Sequence, residues 1–282
     1  MSTSSPAPPA SKLIGMFDSG VGGLSVLRAL HAAMPRTALC YIADSAHAPY
    51  GERPVAEVLV RSSIITQHLV SRGATGIVVA CNTATAIAID HLRARWPKLP
   101  IVGIEPGLKP AIAATRNRRV GVMATTATLA SAPFARLAAA QADGAFVLLQ
   151  PCPGLAQQIE TGDLDAPELI ALVRRFCEPL LSAEVDTVVL GCTHYPLIAA
   201  HIQAALGPQV TLVDTACAVA RQSAQRFGSS LDACGLGAAD PAGIKLLSTG
   251  DAAALQRLAD AWLPFATSVA RLELSQPAAR AA

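Results

Sequence analysis

Short runs rich in Val, Ile and Leu alternate with Ala-rich stretches along most of this chain, and the alternation is written twice. Such runs read as parallel strands buried on both faces by their crossover helices, which is why they lack the polar alternation of a half-exposed strand. The spacing predicts strands at 13–17, 38–43, 76–80 and 101–104, then at 119–123, 145–149, 187–190 and 210–213, with a ninth at 244–248. Laid over one another, the two sets of four nearly coincide. Gly15 stands 29 positions before Asp44, as Gly121 does before Gln150. Ile77-Val78-Val79-Ala80-Cys81-Asn82-Thr83 matches Val188-Val189-Leu190-Gly191-Cys192-Thr193-His194, each a strand ending in a cysteine followed by polar residues. Glu105 and Asp214 close the fourth strands, 24 and 22 positions after the cysteines.

This duplication predicts an α/β fold of two pseudo-symmetric lobes with mainly parallel sheets. Open parallel sheets bind ligands beyond the carboxyl ends of their strands, so two such edges facing one another form a cleft, and both cysteines fall at it. The ninth strand is expected to return to the first lobe, which then comprises 13–105 plus 216–274, with the second lobe at 106–215. A chain of 282 residues, 52% hydrophobic and 15% charged, buries core enough for two domains. Residues 1–12, rich in Ser, Pro and Ala, are expected to be disordered and 275–282 to form a flexible tail.

The chain opens with no basic region leading into an apolar stretch, and no apolar run is long enough to span a bilayer, which points to a cytoplasmic protein without membrane contact. A formal charge of +2 with scattered arginines argues against nucleic acid as a partner. The seven cysteines include no CxxC pair and no His cluster has metal-ligand spacing, so reduced thiols and no metal are expected. Cys40, Cys177, Cys217 and Cys234 read as small buried hydrophobes.

Cys81 and Cys192 read differently. A cysteine between a strand and a helix N-terminus sits near partial positive charge, which favours thiolate and lowers its pKa. Either one alone passes as a structural thiol, but cysteine at the matching point of both units points to reactivity. A hydrolase or transferase needs one nucleophile with a base beside it, whereas a racemase working through two bases needs equivalent groups on opposite faces of one carbon. One sulfur must be a thiolate that takes the α-proton while the other is a thiol that gives one. The carbanion between them needs preorganised donors.

The residues near the strand ends suit that demand. Asp18-Ser19-Gly20-Val21-Gly22-Gly23 is neither GxGxxG nor a P-loop, and Asp18 suits an ammonium group better than a phosphate. A helix cap at Asp18 or Ser19 is the competing reading. Tyr50 and Gly51, after Pro49, can present backbone amides at a turn. Asn82, Thr83 and Thr193 can bond a carboxylate or amine, or cap helices. His194, two residues after Cys192, is placed to tune that thiol or move a proton. Glu160 ends a helix that begins after Cys152-Pro153-Gly154, and from the residues alone it belongs on a solvated face. Glu105 and Asp214 are capping candidates only.

Phe17-Asp18-Ser19-Gly20-Val21-Gly22-Gly23-Leu24, Pro49-Tyr50-Gly51, Ala80-Cys81-Asn82-Thr83-Ala84, Gly103-Ile104-Glu105-Pro106 and Gly191-Cys192-Thr193-His194-Tyr195-Pro196-Leu197 closely resemble the bacterial glutamate racemases, in order from about Ile14 to Thr249. The resemblance implies interconversion of L- and D-glutamate without pyridoxal phosphate or metal, supplying D-glutamate for peptidoglycan. It implies that Cys81 deprotonates D-glutamate and Cys192 L-glutamate, with Asp18, Glu160 and His194 assisting. Substrate contacts would fall on Asp18, Ser19, Tyr50, Gly51, Asn82, Thr83, Thr193 and His194. Members are commonly homodimers, and some are activated by a peptidoglycan precursor through an N-terminal extension. The residues themselves leave open a related two-thiol enzyme acting on aspartate or a hydantoin, an amino-acid binder with the same cleft, and a cysteine hydrolase.

Overall fold

The computed structural model describes residues 12–141, 144–228, 243–265 and 267–274; residues 1–11 of the expected disordered start, the tail at 275–282 and Cys234 lie outside them. The chain forms β1 (Leu13–Asp18), β2 (Ala38–Ala43), β3 (Ala74–Val79) and β4 (Ile101–Gly103), then β5 (Arg119–Ala124), β6 (Phe146–Pro151), β7 (Thr187–Leu190) and β8 (Thr211–Val213), and finally β9 (Ile244–Ser248) and β10 (Val269–Arg271). These make a six-stranded sheet in the order β10-β9-β2-β1-β3-β4 and a four-stranded sheet in the order β6-β5-β7-β8. Every pairing is parallel.

The repeat seen in the sequence is therefore a repeat of topology. β5, β6, β7 and β8 take the places of β1, β2, β3 and β4, in the same spatial order. In both sheets the connections reverse direction at the central pair, β1 with β3 and β5 with β7, and the crevice beyond the strand ends opens there. β9 pairs with β2 and so returns to the first sheet, as its position after the second unit suggested. The central strands are apolar between their end residues because both faces are covered: β1, β2 and β5 are buried at every position after the first, and β7 at all four. β10 was not visible in the sequence. It is a three-residue edge strand, half-buried or exposed along its length, so no buried run marks it.

Helix Asn82–Arg95 follows β3 directly, and helix Ala216–Phe227 packs against helix Leu24–Ala33. None of the described helices is long and apolar enough to cross a membrane. Cys40 and Cys177 are buried as expected, but Cys217 is exposed. It is the second residue of helix Ala216–Phe227, and the buried face of that helix is taken by Ala216, Val219, Ala220, Ser223, Ala224 and Phe227.

One buried ion pair fixes the carboxyl edge of the first sheet. Asp44, just past β2, is fully buried and meets Arg61 of helix Val55–Ser71 through two bonds, Nε to Oδ2 at 2.9 Å and Nη2 to Oδ1 at 2.7 Å. The Tyr50 hydroxyl donates to Oδ2 at 2.6 Å and the Thr249 hydroxyl to Oδ1 at 2.7 Å. Burial alone would raise the Asp44 pKa, but Arg61 and the Tyr50 hydroxyl outweigh it and hold the carboxyl below its ordinary value. The stability this gives is present above the unfolded pKa and is lost as pH falls through the lower folded one. Arg61→Met should destabilise the protein by about 3 kcal/mol in urea at neutral pH and move acid unfolding to higher pH. An unchanged acid midpoint would show that Arg61 does not hold Asp44 ionised.

Candidate active site

Cys81 lies two residues past Val79, the last residue of β3, and its side chain is itself the N-cap of helix Asn82–Arg95. Sγ accepts the Ala84 amide at 3.4 Å and lies 3.8 Å from the Ser19 hydroxyl. The helix terminus is thus where the sequence placed it, but the expected drop in pKa is reversed. Burial pushes the Cys81 thiol well above its ordinary value and the Asp18 charge adds to this, while the Ala84 amide pulls it only part of the way back. The partial charge of one amide does not offset removal of a thiolate from water. A thiolate formed here is a correspondingly strong base.

Cys192 occupies the matching place after β7, with a different support. No α-helix starts beside it; a 3-10 turn at Tyr195–Ile198 precedes helix Ala199–Leu206. Its Sγ lies 3.5 Å from His194 Nδ1, and His194 Nε2 lies 2.5 Å from Glu160 Oε1. Burial works against a charged imidazole, yet the Cys192 and Glu160 charges and hydrogen bonds outweigh it and hold the His194 pKa well above its ordinary value. Glu160 is not on a solvated face: its side chain is 14% exposed and also accepts the Val21 amide at 2.8 Å.

Asp18 ends β1, fully buried, and does not cap a helix; helix Leu24–Ala33 starts after Gly23 with no side-chain cap. Its Oδ1 accepts the Ser19 amide at 2.5 Å and the Ser19 hydroxyl at 3.0 Å, and its Oδ2 accepts the Thr193 hydroxyl at 2.8 Å. Burial raises its pKa, against the opposing pull of His194, Thr193 and Ser19. The glycines of the loop allow the two units to touch here. A Cβ on Gly20 would lie 1.7 Å from Glu160 Oε1, and one on Gly22 would lie 2.7 Å from both His194 Nδ1 and Thr193 Oγ1.

Thr83 sits in the first turn of helix Asn82–Arg95, its hydroxyl 3.0 Å from that of Thr125 and 3.3 Å from that of Thr128. Both amide atoms of Asn82 are buried and without a hydrogen-bond partner, so both a donor and an acceptor are free for a ligand. Tyr50 is buried with its hydroxyl committed to Asp44, so its backbone amide is the group left to meet a ligand. A Cβ on Gly51 would lie 2.8 Å from Thr125, so this turn too meets the second unit. Asp214 accepts the Ala216 amide at 2.9 Å at the start of helix Ala216–Phe227, although the cap position itself is held by Thr215. Thr125 and Thr128 were missed in the sequence. Thr125 follows β5 as Ser19 follows β1, so the internal repeat carried the signal. Among the described residues no group of three or more His, Cys, Asp or Glu is placed to hold a metal ion.

Residues 22–223, which include both cysteines, match the family model described as Asp/Glu/Hydantoin racemase. The chain belongs to this family. It is 51% identical over 215 residues to the glutamate racemase of Ectopseudomonas mendocina (strain ymp), covering 76% of this chain and 82% of that protein. The glutamate racemase of Ralstonia pickettii (strain 12J) is 44% identical over 275 residues, 97% of this chain and 94% of that protein. Among solved structures, Escherichia coli glutamate racemase in complex with L-glutamate and the activator UDP-MurNAc-ala superposes with a TM-score of 0.81 at 28% identity, covering 94% of this chain and 99% of that one. A Bacillus anthracis glutamate racemase gives 0.79 at 31% identity, covering 93% and 98%.

In this family member, then, two buried thiols end equivalent strands, one supported by a helix amide and the other by an imidazole and carboxylate. If Glu160 holds the His194 proton, Glu160→Gln should lower the His194 pKa, as read from its ring nitrogens by NMR titration. A titration identical to that of the parent protein would remove Glu160 from the relay.

Proposed function

We propose that the chain is a glutamate racemase that interconverts L- and D-glutamate by moving one proton between two sulfurs, without a cofactor or metal. The observation that carries this reading is the placement of Cys81 and Cys192 at the ends of equivalent strands in two copies of one sheet plan. A single-nucleophile enzyme has no use for the second copy. The identity to glutamate racemases over most of the chain supports glutamate as the substrate.

In the L-to-D direction the Cys192 thiolate takes the α-proton, the C–H electron pair passes into the carboxylate as an enediolate, and the Cys81 thiol returns a proton to the opposite face. The enzyme is left with thiol and thiolate exchanged, and the D-to-L direction runs the same steps backwards. Asp18 and Ser19 receive the ammonium group; Asn82, Thr83, Thr193 and the amides of Tyr50 and Gly51 hold the carboxylates, where developing charge is met by fixed dipoles. His194 tunes Cys192 and Glu160 holds His194. The lobes are assigned as 13–105 plus 216–274 and 106–215, closing on the substrate. The same reading makes the protein a cytoplasmic homodimer that supplies D-glutamate for peptidoglycan. An activator of the kind bound in the Escherichia coli structure would raise its activity on addition of UDP-MurNAc-ala.

Purified protein in heavy water, with nothing else added, should wash the α-hydrogen out of both hands of glutamate and bring optical rotation to zero. Cys81→Ser and Cys192→Ser should each abolish racemisation, because a hydroxyl is too weak an acid to supply the base. Full activity in either variant, tight binding without exchange, or a clear preference for aspartate would each refute the assignment.

A further inference from the structure

Tyr41, in the middle of β2, is fully buried and lies beneath the glycine loop, where a Cβ on Gly23 would stand 2.7 Å from its ring. Its hydroxyl donates to the carbonyl oxygen of Gly20. That carbonyl belongs to the same peptide plane as the Val21 N–H, which donates to Glu160 Oε1 at 2.8 Å. From Glu160 the chain continues to His194 and on to Cys192 Sγ. A donor on an amide oxygen draws charge from the nitrogen and strengthens the N–H as a donor, so linked hydrogen bonds reinforce one another. Burial, with the charges of Asp18, Glu160 and Cys81, holds the Tyr41 pKa well above its ordinary value, so the phenol keeps its proton.

We infer that Tyr41 is a positioning residue for the Cys192 half of the reaction: it fixes and polarises the Gly20–Val21 peptide that holds Glu160, and through Glu160 it orients His194 against the sulfur. Cys81 is served instead by the Ala84 amide and the Ser19 hydroxyl, neither of which is a link in the series from Tyr41 to Cys192. The inference rests on the racemase reading above.

Tyr41→Phe removes one hydroxyl and keeps the ring. It should lower kcat by about 10-fold with KM little changed, the size expected for one buried hydrogen bond. The readout that a merely structural role would not move is directional. Slowing only the Cys192 step should raise the isotope effect on kcat/KM for α-deuterated L-glutamate and lower it for α-deuterated D-glutamate. On a Glu160→Gln background the same substitution should cost less than about 2-fold, because the relay is already broken. Isotope effects that move equally for both hands, or losses that add in full in the double variant, would overturn the inference while leaving the enzyme a racemase. Parent protein that neither racemises glutamate nor exchanges its α-hydrogen would overturn both. Should Tyr41→Phe fail to fold, 3-fluorotyrosine at this position, a more acidic donor of nearly the same shape, should move the two isotope effects in the opposite senses, and no movement would overturn it.

Discussion

The carboxylate of Glu160 fills the space that a side chain on Gly20 would need, and the Val21 amide holds it there. This contact joins the two units, and the geometry of the site follows from it. Beside it the Thr193 hydroxyl bonds Asp18, and His194 packs on Gly22. A Cβ on Gly20 or Gly22 would fall closer to Glu160, His194 or Thr193 than van der Waals contact allows. The loop looks like a phosphate cradle but has another purpose: its glycines let Glu160 and Thr193 of the second unit reach the Val21 amide and Asp18 of the first within hydrogen-bond distance, in a buried place. In such a place each bond is stronger than it would be at a surface, and each unpaired group more costly.

Duplication explains where the sulfurs are, but not how each is tuned. Both follow a strand that stands at the reversal point of a parallel sheet, and the Cys192 charge lies near enough to act on the Cys81 thiol. Past that point the copies diverge. Helix Asn82–Arg95 begins at once and offers an amide to Cys81, whereas the 3-10 turn after Cys192 brings no such amide and His194 takes its place. A two-base reaction through one carbon needs matching positions, but the substrate is not symmetric about that carbon. On the racemase reading an ammonium and a carboxylate are held by different residues around that carbon, so unequal supports for the thiols are the expected outcome.

The sheet plan was legible because buried parallel strands are written as uninterrupted apolar runs, and two copies of one plan test each other. β1, β2, β5 and β7 show this; the three-residue edge strand β10, with no buried run, does not. The site was legible where a residue touches a strand end in sequence, as Asp18, Cys81 and Cys192 do. It was illegible where the role depends on a contact across the cleft. Glu160 ends a six-residue helix and has every local mark of a solvated carboxylate, and only the fold brings Val21 and His194 to it. The thiol pKa failed for a related reason. Helix termini can be read from sequence, but the depth of burial that opposes them cannot.

The charges of the site lead to one more step. Asp18 and Glu160 are carboxylates, a working thiol must be a thiolate, and the one basic side chain among them is His194. Burial has already raised Asp18 and Cys81, which is how a dry site with too little positive charge behaves. An α-amino acid supplies what is missing, since its ammonium beside Asp18 would bring the opposing charge that burial withholds. Ligand and catalytic charge state are then coupled: the ammonium favours the ionised Asp18, and the reacting C–H lies one bond from it, between the sulfurs. On the racemase reading the site therefore selects an amino acid before it selects glutamate, and the hydroxyls of Thr83, Thr125 and Thr128, with the free amide of Asn82, are left to measure what lies at the other end of the side chain.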